Sequence, residues 1–409
     1  MLPLQGIRVL DFGWVMAAPI TAHLMADMGA EVIKVESRTH LDAARRGRPL
    51  VSGETSDGDL GNEPDLVPLF HSLNRGKLSI TVDLTHPRAW EAIRPLVAKT
   101  DVIVHNLTPR ASRNLGLTYE RLAALREDII VVSLTAAGQY GPLSDISGYA
   151  PSVSSLAGLE GLVGYDGEDP IGMLGLNFSD PNAGMLGYLA AVAALWHRKR
   201  TGQGQHVDLS QMEGVAQYLG EPFMEYSMNG SVPSPKGPYH PRMSPYGNFP
   251  TSEPDRWVAI AIDDDLDWQA FGKVIGESWV EDERFASREG RMAHRGELNQ
   301  FVAAWTGPRT VDEIVLPLQH ANVAAMPVMS IEDQFADPQH QAREVYVNVE
   351  HPKVGSEPIH GLAWKMSDTP GQVDRPAPLL GEHNRYVLED LLGFTTHQVQ
   401  DFQDAGVLE

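Results

Sequence analysis

The chain has 409 residues and a formal net charge of −22, because 54 acidic side chains outnumber 32 basic ones. Its length suits two or three domains, its 42% hydrophobic content argues against disorder, and its acidity disfavours nucleic-acid binding, which needs clustered Lys and Arg. With no Cys, no apolar stretch of bilayer length and no signal-peptide pattern, we expect a soluble cytoplasmic protein without disulfides, thiolate metal sites or membrane contacts.

Strand and helix patterns alternate through the first third of the chain. Ile7–Phe12 is a short apolar run, Pro19–Met28 has apolar residues at helical spacing, and Glu31–Glu36 alternates like a strand. The alternation continues with a strand at Ser79–Leu84, a helix from near Pro87, and strands at Asp101–His105 and Ile129–Thr135. Repeated strand–helix–strand units predict an α/β fold, with a Rossmann-like large domain built on a parallel sheet.

A stretch from Arg38 to Pro68 interrupts this alternation. It is rich in Gly, Asp, Glu and Arg and lacks hydrophobic periodicity, so it is predicted to be a long loop. Arg45, Arg46 and Arg48 form a basic cluster in this acidic chain. A solvated loop is the commoner explanation of such a cluster, and a clamp for a phosphate or a substrate carboxylate is the functional one.

The remaining patterns suggest how the domains are divided. Ser179–Arg200 is the strongest helical pattern, with one face formed by Met185, Leu186, Leu189, Val192, Ala193 and Trp196. Ser227–Thr251 is dense in Pro and Gly and is typical of a linker, Trp257–Ile262 is a predicted strand, and Glu382–Leu392 is a predicted final amphipathic helix. We expect a large domain over 1–226, a linker and smaller α+β domain over 227–349, and a return to the large domain over 350–409.

Most short catalytic motifs are missing from the sequence. There is no GxxxxGK[ST], GxSxG or HExxH, and no GxGxxG follows the first strand, which disfavours a Walker phosphate loop, a serine-hydrolase elbow, a zinc-protease site and an ordinary NAD site. No His pair has metal-ligand spacing, so no metal is expected. Ligands of open parallel sheets bind beyond the carboxyl ends of the strands. Here those ends are backbone-rich and apolar, which suits an adenine nucleotide, and they carry Trp14–Met16, Ser37–Arg38, Asp83–Leu84 and Asn106–Leu107.

Asp180 lies directly before the long predicted helix, in the sequence Ser179-Asp180-Pro181-Asn182. Helix capping is the commoner explanation, because Asp is favoured at the N-cap and Pro at the next position. The same position puts a carboxylate at the positive end of the helix dipole. A carboxylate is ionised at pH 7 and can therefore act as a covalent nucleophile without a general base. From these residues alone both explanations stay open.

Motifs along nearly the whole chain carry a family resemblance. They are Leu4–Phe12 (LQGIRVLDF), Gly29–Glu36 (GAEVIKVE), Asn74–Ile80 (NRGKLSI), Asp101–Asn106 (DVIVHN), Gly138–Pro142 (GQYGP), Thr201–Gln205 (TGQGQ) and Pro378–His383 (PLLGEH). In this order they resemble the class III CoA-transferases, the group of formyl-CoA and carnitine CoA-transferases. The resemblance implies interlocked dimers and a covalent aspartyl carrier just before the long helix, a place that Asp180 occupies here.

The resemblance also implies where CoA binds. The family pattern maps onto Val15, Met16, Asp83, Leu84, Asn106, Leu107 and Tyr149. Arg38 and Arg113 stand next to Ser37 and Asn114, which occupy positions where formyl-CoA transferases carry Arg, and we expect these two arginines to substitute. Met16 replaces a Gln, Ser147 replaces a Lys, and the family's glycine run in the small-domain loop is missing, so formate and oxalate are disfavoured as substrates. The loop around Tyr246-Gly247-Asn248 is expected to shield the intermediate from water.

By resemblance, the expected function is transfer of CoA from a succinyl-CoA-like donor to a free carboxylic acid, through an aspartyl mixed anhydride and an aspartyl-CoA thioester. The start at Asp11–Met16 looks most like the branch that handles succinate and benzylsuccinate, so benzylsuccinate or another dicarboxylate is the expected acceptor. One alternative is an α-methylacyl-CoA racemase, but the stretch Ser144–Tyr149 lacks the His that such enzymes use. The other is a non-catalytic CoA-binding subunit. The expected partner is a second copy of the chain or a paralogous subunit.

Overall fold

The computed structural model describes residues 1–47, 63–173 and 177–409. The chain divides into two compact units, one formed by residues 1–160, 173–232 and 344–409 and the other by residues 161–172 and 233–343. Residues 161–172 were assigned to the large domain by the sequence, whereas they group with the second unit by packing. The domain limits at 226 and 349 stay a prediction.

A six-stranded parallel sheet forms the centre of the first unit. Its strands are β1 (Arg8–Asp11), β2 (Glu31–Glu36), β3 (Leu78–Thr81), β4 (Val102–His105), β5 (Ile130–Thr135) and β6 (Gln205–Ser210). Their order is β3-β2-β1-β4-β5-β6, so the direction of strand addition reverses between β1 and β4. The predicted α/β fold with a parallel sheet is confirmed.

Helices cover both faces of this sheet. They are α1 (Ala17–Asp27), α2 (Pro68–Asn74), α3 (Ala89–Ala98), α4 (Pro109–Leu115), α5 (Tyr119–Ala123), α6 (Ala150–Leu156), α7 (Ser179–Thr201), α8 (Gln211–Ala216) and α9 (Gly220–Asn229). Successive strand residues point to opposite faces. Thus Leu10 packs in the core that contains α3, while Val9 packs in the core that contains α1 and α7. None of the described helices is both long and apolar enough to cross a bilayer.

Helix α7 packs on the sheet with its small residues. Gly184 and Gly187 are buried, and a Cβ atom at Gly184 would come to 2.6 Å from the Cβ of Ile20 in α1. The large apolar side chains of the predicted face are instead exposed in the single chain: Met185 is 54%, Leu189 64% and Trp196 61% accessible. Small residues are on the inner face because the helices approach closely there.

The second unit is a smaller α+β structure. Its antiparallel sheet has the order β7-β8-β9, with β7 (Tyr246–Pro250), β8 (Trp257–Ala261) and β9 (Ala324–Val328). Its helices are α10 (Asp265–Ile275), α11 (Arg288–Ala293), α12 (Arg295–Thr306), α13 (Val311–His320), α14 (Ile331–Ala336) and α15 (Pro338–Ala342). The predicted loop at Tyr246-Gly247-Asn248 is wrong, because this segment pairs with β8 as a strand.

The chain then returns to the first unit with a hairpin and one further helix. The hairpin consists of β10 (Tyr346–His351) and β11 (Gly355–His360), and the helix is α16 (Thr396–Asp404). The predicted final helix over Glu382–Leu392 is wrong in extent, since only a π-helical turn forms at Tyr386–Leu391. The final helix lies later because Thr395 caps it, together with Gln398 in a capping box.

Candidate functional site

The turn between β1 and α1 meets the end of β4 where the strand order of the sheet reverses. The side chain of Asn106 accepts a hydrogen bond from the Trp14 N–H (2.8 Å) and donates one to the Trp14 carbonyl (2.7 Å). In open α/β sheets the ligand binds in the crevice at this topological switch point. Asn106 and the turn therefore mark the expected ligand site.

A cavity of about 140 Å³ opens at this edge of the sheet, and every residue around it belongs to the first unit. Its apolar wall is formed by Phe12, Trp14, Val35, Val82, Leu84, Leu107 and Leu115, and its polar wall by Lys34, Glu36, Ser37, His40, Asp42, Asp83 and Thr85. Three of the predicted CoA contacts thus lie on one cavity: Asp83, Leu84 and Leu107. The mixed lining suits a flat apolar ring carrying polar groups.

The three predicted contacts Arg38, Arg113 and Tyr149 are exposed and lie outside the described lining of this cavity. The Arg38 guanidinium donates to the carbonyl of Leu380 at 3.3 Å. Arg113 forms a surface ion pair with Asp145 at 3.4 Å. The contact of these three side chains with CoA stays a prediction.

The basic cluster is divided between interior and surface. Arg45 is buried, its guanidinium donates to the carboxylates of Glu36 and Asp65, and it stacks 3.4 Å from the ring centre of Phe70. The predicted substrate clamp is therefore wrong for Arg45, because its donors are already used inside the protein. Arg46 is exposed, and Arg48 lies outside the described residues.

Asp180 lies in the first turn of α7 rather than before it. Helix α7 begins at Ser179, and the side chain of its N-cap residue, Phe178, makes no capping hydrogen bond. The N–H of Asn182 already bonds to the carbonyl of Phe178 at 3.2 Å. The predicted N-cap role of Asp180 is therefore wrong, because the helix begins two residues earlier and leaves this carboxylate free of capping.

Helices α1 and α7 run side by side in the same direction. Gly184 lies against Ile20, and a Cβ atom at Gly187 would come to 2.4 Å from the Oγ1 of Thr21. Because one helical turn is 3.6 residues, Asp180 lies at the level of Met16, where α1 begins. The predicted nucleophile and the predicted CoA-binding turn are thus neighbours in the fold.

The carboxyl group of Asp180 is partly buried. Burial raises its pKa above the ordinary 3.8, and a hydrogen bond from the side chain of Gln211, the first residue of α8, offsets part of this rise. Helix α1 also begins without a side-chain cap and without an acidic residue in its first turn. The positive ends of α1 and α7 therefore favour the anion, which keeps the carboxylate available.

Several buried polar atoms around the start of α7 lack a hydrogen-bond partner within the described part of the chain. They are Gln211 Oε1, Asn182 Nδ2, Gln139 Nε2, Thr135 Oγ1 and Ser154 Oγ. They lie at the end of β5, in the segment that follows it, or on α6, α7 and α8, and these three helices pack together. Buried polar groups are nearly always paired in proteins. These atoms are therefore candidates for contact with a ligand or a second chain.

Two residues at this edge were missed by the sequence analysis. Lys34 had a signal, because a Lys inside a strand covered on both faces has to be buried and paired. Gln211 had none, since nothing in its local pattern sets it apart. In the described chain no three His, Asp or Glu side chains converge as metal ligands.

Comparison with known proteins gives a consistent result. The model of CoA-transferase family III matches residues 4–384. The chain is 35% identical to the succinate–glutarate CoA-transferase of Agrobacterium fabrum, over 95% of this chain and 96% of that one. It is 30% identical to the beta subunit of succinyl-CoA–L-malate CoA-transferase of Chloroflexus aurantiacus, over 100% and 98% of the two chains. Its fold matches a CAIB/BAIF family protein of Brucella suis with a TM-score of 0.84, at 30% identity over 95% and 99%.

Proposed function

The chain belongs to CoA-transferase family III, and on this premise we propose that it moves CoA from a succinyl-CoA-like donor to a free dicarboxylic acid, with Asp180 as the covalent carrier. The observation that carries the proposal is the position of the Asp180 carboxylate. It is partly buried, unused in capping, and level with the uncapped start of α1, next to the turn that borders the cavity.

The chemistry needs only nucleophilic exchange at carbonyl carbons. The Asp180 carboxylate attacks the thioester carbonyl, the C–S bond breaks, and CoA thiolate leaves a mixed anhydride. The thiolate attacks the aspartyl carbonyl, which releases the donor acid and leaves an aspartyl-CoA thioester. The acceptor carboxylate repeats these two steps in reverse, which forms the new acyl-CoA and restores Asp180. No net proton transfer occurs, so a site without a His general base is sufficient.

Each step passes through a tetrahedral oxyanion that requires hydrogen-bond donors. The first N–H groups of a helix have no partner inside it. We propose that the N–H groups of Ala17 and Ala18 donate to the oxyanion. The N-cap side chain of α1 does not bond to them, and the next residue, Pro19, has no N–H to offer. We also propose that the Gln211 carboxamide keeps its hydrogen bond to the Asp180 side chain while the charge of Asp180 changes during the reaction.

The substrate class rests on the relatives. The names of these relatives include succinate or its CoA thioester, glutarate and L-malate, and all three acids are dicarboxylates. We propose succinyl-CoA as donor and a dicarboxylate as acceptor, with benzylsuccinate among the candidates. The proposed CoA contacts remain Val15, Met16, Arg38, Asp83, Leu84, Asn106, Leu107, Arg113 and Tyr149. Arg45 is not proposed as a carboxylate clamp, since its donors are already used.

We further propose an interlocked dimer. The exposed apolar side chains of Met185, Leu189 and Trp196 on α7 support this, because a contiguous apolar face on a central helix marks an interaction surface. A homodimer is the simplest assembly. A heteromer with a paralogous subunit is the alternative, and one relative is named as a beta subunit. A cytoplasmic location stays a prediction from composition.

The decisive experiment is a CoA-exchange assay with panels of acyl-CoA donors and acids. We expect the wild type to exchange CoA among dicarboxylates and the Asp180→Ala variant to be inactive while keeping its fold. Intact-mass analysis after incubation with acyl-CoA should show a CoA adduct that hydroxylamine removes, and the variant should not form it. Asp312→Ala is the control, since Asp312 lies in the first turn of α13.

The alternatives give different outcomes in the same experiment. Deuterium uptake at the α-carbon of an acyl-CoA, unaffected by added acids, would favour the racemase. Binding of CoA without adduct formation or exchange would favour a non-catalytic subunit. An Asp180→Ala variant that exchanges CoA at the wild-type rate would remove the aspartyl carrier from the mechanism.

A further inference from the structure

The turn between β1 and α1 contains a strained residue. Val15 has a φ of 60°. This left-handed conformation is a genuine outlier for a β-branched side chain, and such residues persist only where their surroundings enforce them. The strained residue lies immediately before Met16 and the uncapped start of α1, where the proposed chemistry takes place.

The buried ion pair of Lys34 and Asp42 holds the backbone of this turn. Lys34 of β2 donates from its ammonium group to the carbonyl of Gly13 at 2.7 Å, and it forms an ion pair with Asp42 at 3.1 Å. Asp42 in turn accepts the N–H of Val15 at 2.9 Å through its other carboxylate oxygen. The side chains of Lys34 and Asp42 are only 1% and 3% accessible. One ion pair thus fixes the backbone on both sides of Trp14.

Other side chains hold the remaining polar groups of the turn. Asp11 accepts the N–H of Gly13 at 2.7 Å and forms a buried ion pair with Lys77 at 2.7 Å. Asn106 binds both the N–H and the carbonyl of Trp14. Five successive backbone groups, from the Gly13 N–H to the Val15 N–H, are therefore held by side chains from β1, from β2, and from the segments that follow β2 and β4.

A buried ion pair such as Lys34–Asp42 has a high desolvation cost, so its presence calls for an explanation. Burying two charges costs several kcal/mol that their attraction only partly offsets, so a buried pair is weak evidence for stability. Burial alone would lower the pKa of Lys34, but the carboxylates of Asp11 and Asp42 outweigh it and keep the ammonium charged. The pair is better explained by what it holds in place.

We infer that Lys34 and Asp42 are positioning residues for CoA transfer: they hold Val15 in its strained conformation and thereby fix the start of α1 against Asp180. This inference rests on the proposed function. Neither side chain is required to touch the reacting atoms. Both act through the backbone of Gly13 and Val15, and the effect of their loss is a misplaced turn.

The test uses the full-length protein and the variants Asp42→Asn and Lys34→Met. We expect kcat for CoA exchange to fall about 10- to 100-fold, the size of effect that a displacement near 1 Å produces. Amide hydrogen exchange at Val15 should accelerate in both variants. If a variant fails to fold, Asp42→Glu replaces it, because it keeps both charges but moves the carboxylate, and it should show the same loss of kcat.

A matched control tests whether the effect is merely structural. Asp27 and Arg75 form an equally buried ion pair at 2.7 Å at the other end of α1. We expect Asp27→Asn to lower the melting temperature but to leave kcat of the folded enzyme unchanged. Equal losses of kcat in Asp27→Asn and Asp42→Asn would overturn the inference, because the effect would then be general destabilisation.

A double-mutant cycle tests the role of strain. Glycine adopts a positive φ without cost, so Asp42→Asn should reduce kcat less in a Val15→Gly background than in the wild type. An identical reduction in both backgrounds would overturn the inference. The two proposals fail separately: wild-type rates of aspartyl adduct formation in Asp42→Asn and Lys34→Met would refute only the positioning role, whereas absence of the adduct in the wild type would refute both.

Discussion

Gly184 of α7 and Ile20 of α1 are so close that a Cβ atom at position 184 would come to 2.6 Å from the Cβ of Ile20 and 3.0 Å from the carbonyl oxygen of Ala17. This contact sets the distance between the two helices whose starts carry Asp180 and Met16. Overpacking of a core typically costs about 1–3 kcal/mol. We therefore expect Gly184→Ala to lower the free energy of unfolding by about that amount and to reduce kcat, as measured by urea unfolding and CoA exchange.

The control for this prediction is Gly296→Ala. Gly296 also lies in a helix, α12, but a Cβ atom there would have no neighbour within 4 Å. We expect this variant to be as stable as the wild type or slightly more stable, because Ala has the higher helix propensity. Equal stability of Gly184→Ala and Gly296→Ala would contradict the close packing of α1 on α7.

The sequence predicted the parallel sheet well because its signal is local. Runs such as Glu31–Glu36 and Ile129–Thr135 are bounded by turn residues and lie close to β2 and β5 as observed. It predicted the long helix, but its periodicity did not reveal that Gly184 and Gly187 form the buried face. The buried face is determined by close packing against Ile20 and Thr21 of α1, a tertiary contact that the local sequence pattern does not contain.

The candidate site was predictable only in part, for a similar reason. Strand ends at Asp83 and Leu107 follow from topology, and both line the cavity. The role of Arg45 could not be predicted from the sequence. An arginine in a basic loop cluster has the same sequence pattern whether it is solvated or, as here, buried in contact with Glu36 and Phe70. The hydrogen bond from Gln211 to Asp180 joins positions that are distant along the chain.

The raised pKa of Asp180 predicts the acidic side of the pH–rate profile. Because the nucleophile is the carboxylate, kcat/KM should fall as the pH drops through the pKa of this group, which burial raises above 3.8. Gln211→Leu removes the hydrogen bond that lowers this pKa, so the acidic limb should move to higher pH. If the acidic limb of the Gln211→Leu profile lies at the same pH as in the wild type, Gln211 does not influence the pKa of the titrating group.

The same shift predicts a gain in stability when Asp180 is neutralised. A carboxyl whose pKa is higher in the folded state favours folding while it is protonated, and that contribution is lost as the pH rises above 3.8 through the folded-state pKa. At pH 7 the wild type therefore carries a partly buried charge that Asp180→Asn lacks. We expect Asp180→Asn to melt at a temperature equal to or above that of the wild type at pH 7, and the difference to shrink toward pH 3.

Arg45 should matter for stability and not for substrate affinity. Its guanidinium forms ion pairs with Glu36 and Asp65 in the protein interior. Removing one partner of a buried ion pair costs about 3–5 kcal/mol, because a charge is left uncompensated. We expect Arg45→Met to unfold at much lower urea concentration while KM for the acid is unchanged in the folded fraction. Arg46→Met is the control and should change neither quantity, since Arg46 is exposed.

The exposed apolar face of α7 should determine the oligomeric state. Leu189 is 64% accessible in the single chain although it lies on the central helix of the first unit, between Met185 and Trp196 on the same face. A charge placed in the apolar core of an interface must be desolvated without a partner. We therefore expect Leu189→Glu to shift the protein from dimer to monomer in sedimentation-velocity experiments. Leu266→Glu is the matched control, because Leu266 is also exposed, at 73%, but lies on α10 of the second unit. If Leu189→Glu sediments as the wild type does, α7 is not at the subunit interface, and its apolar face would need another partner.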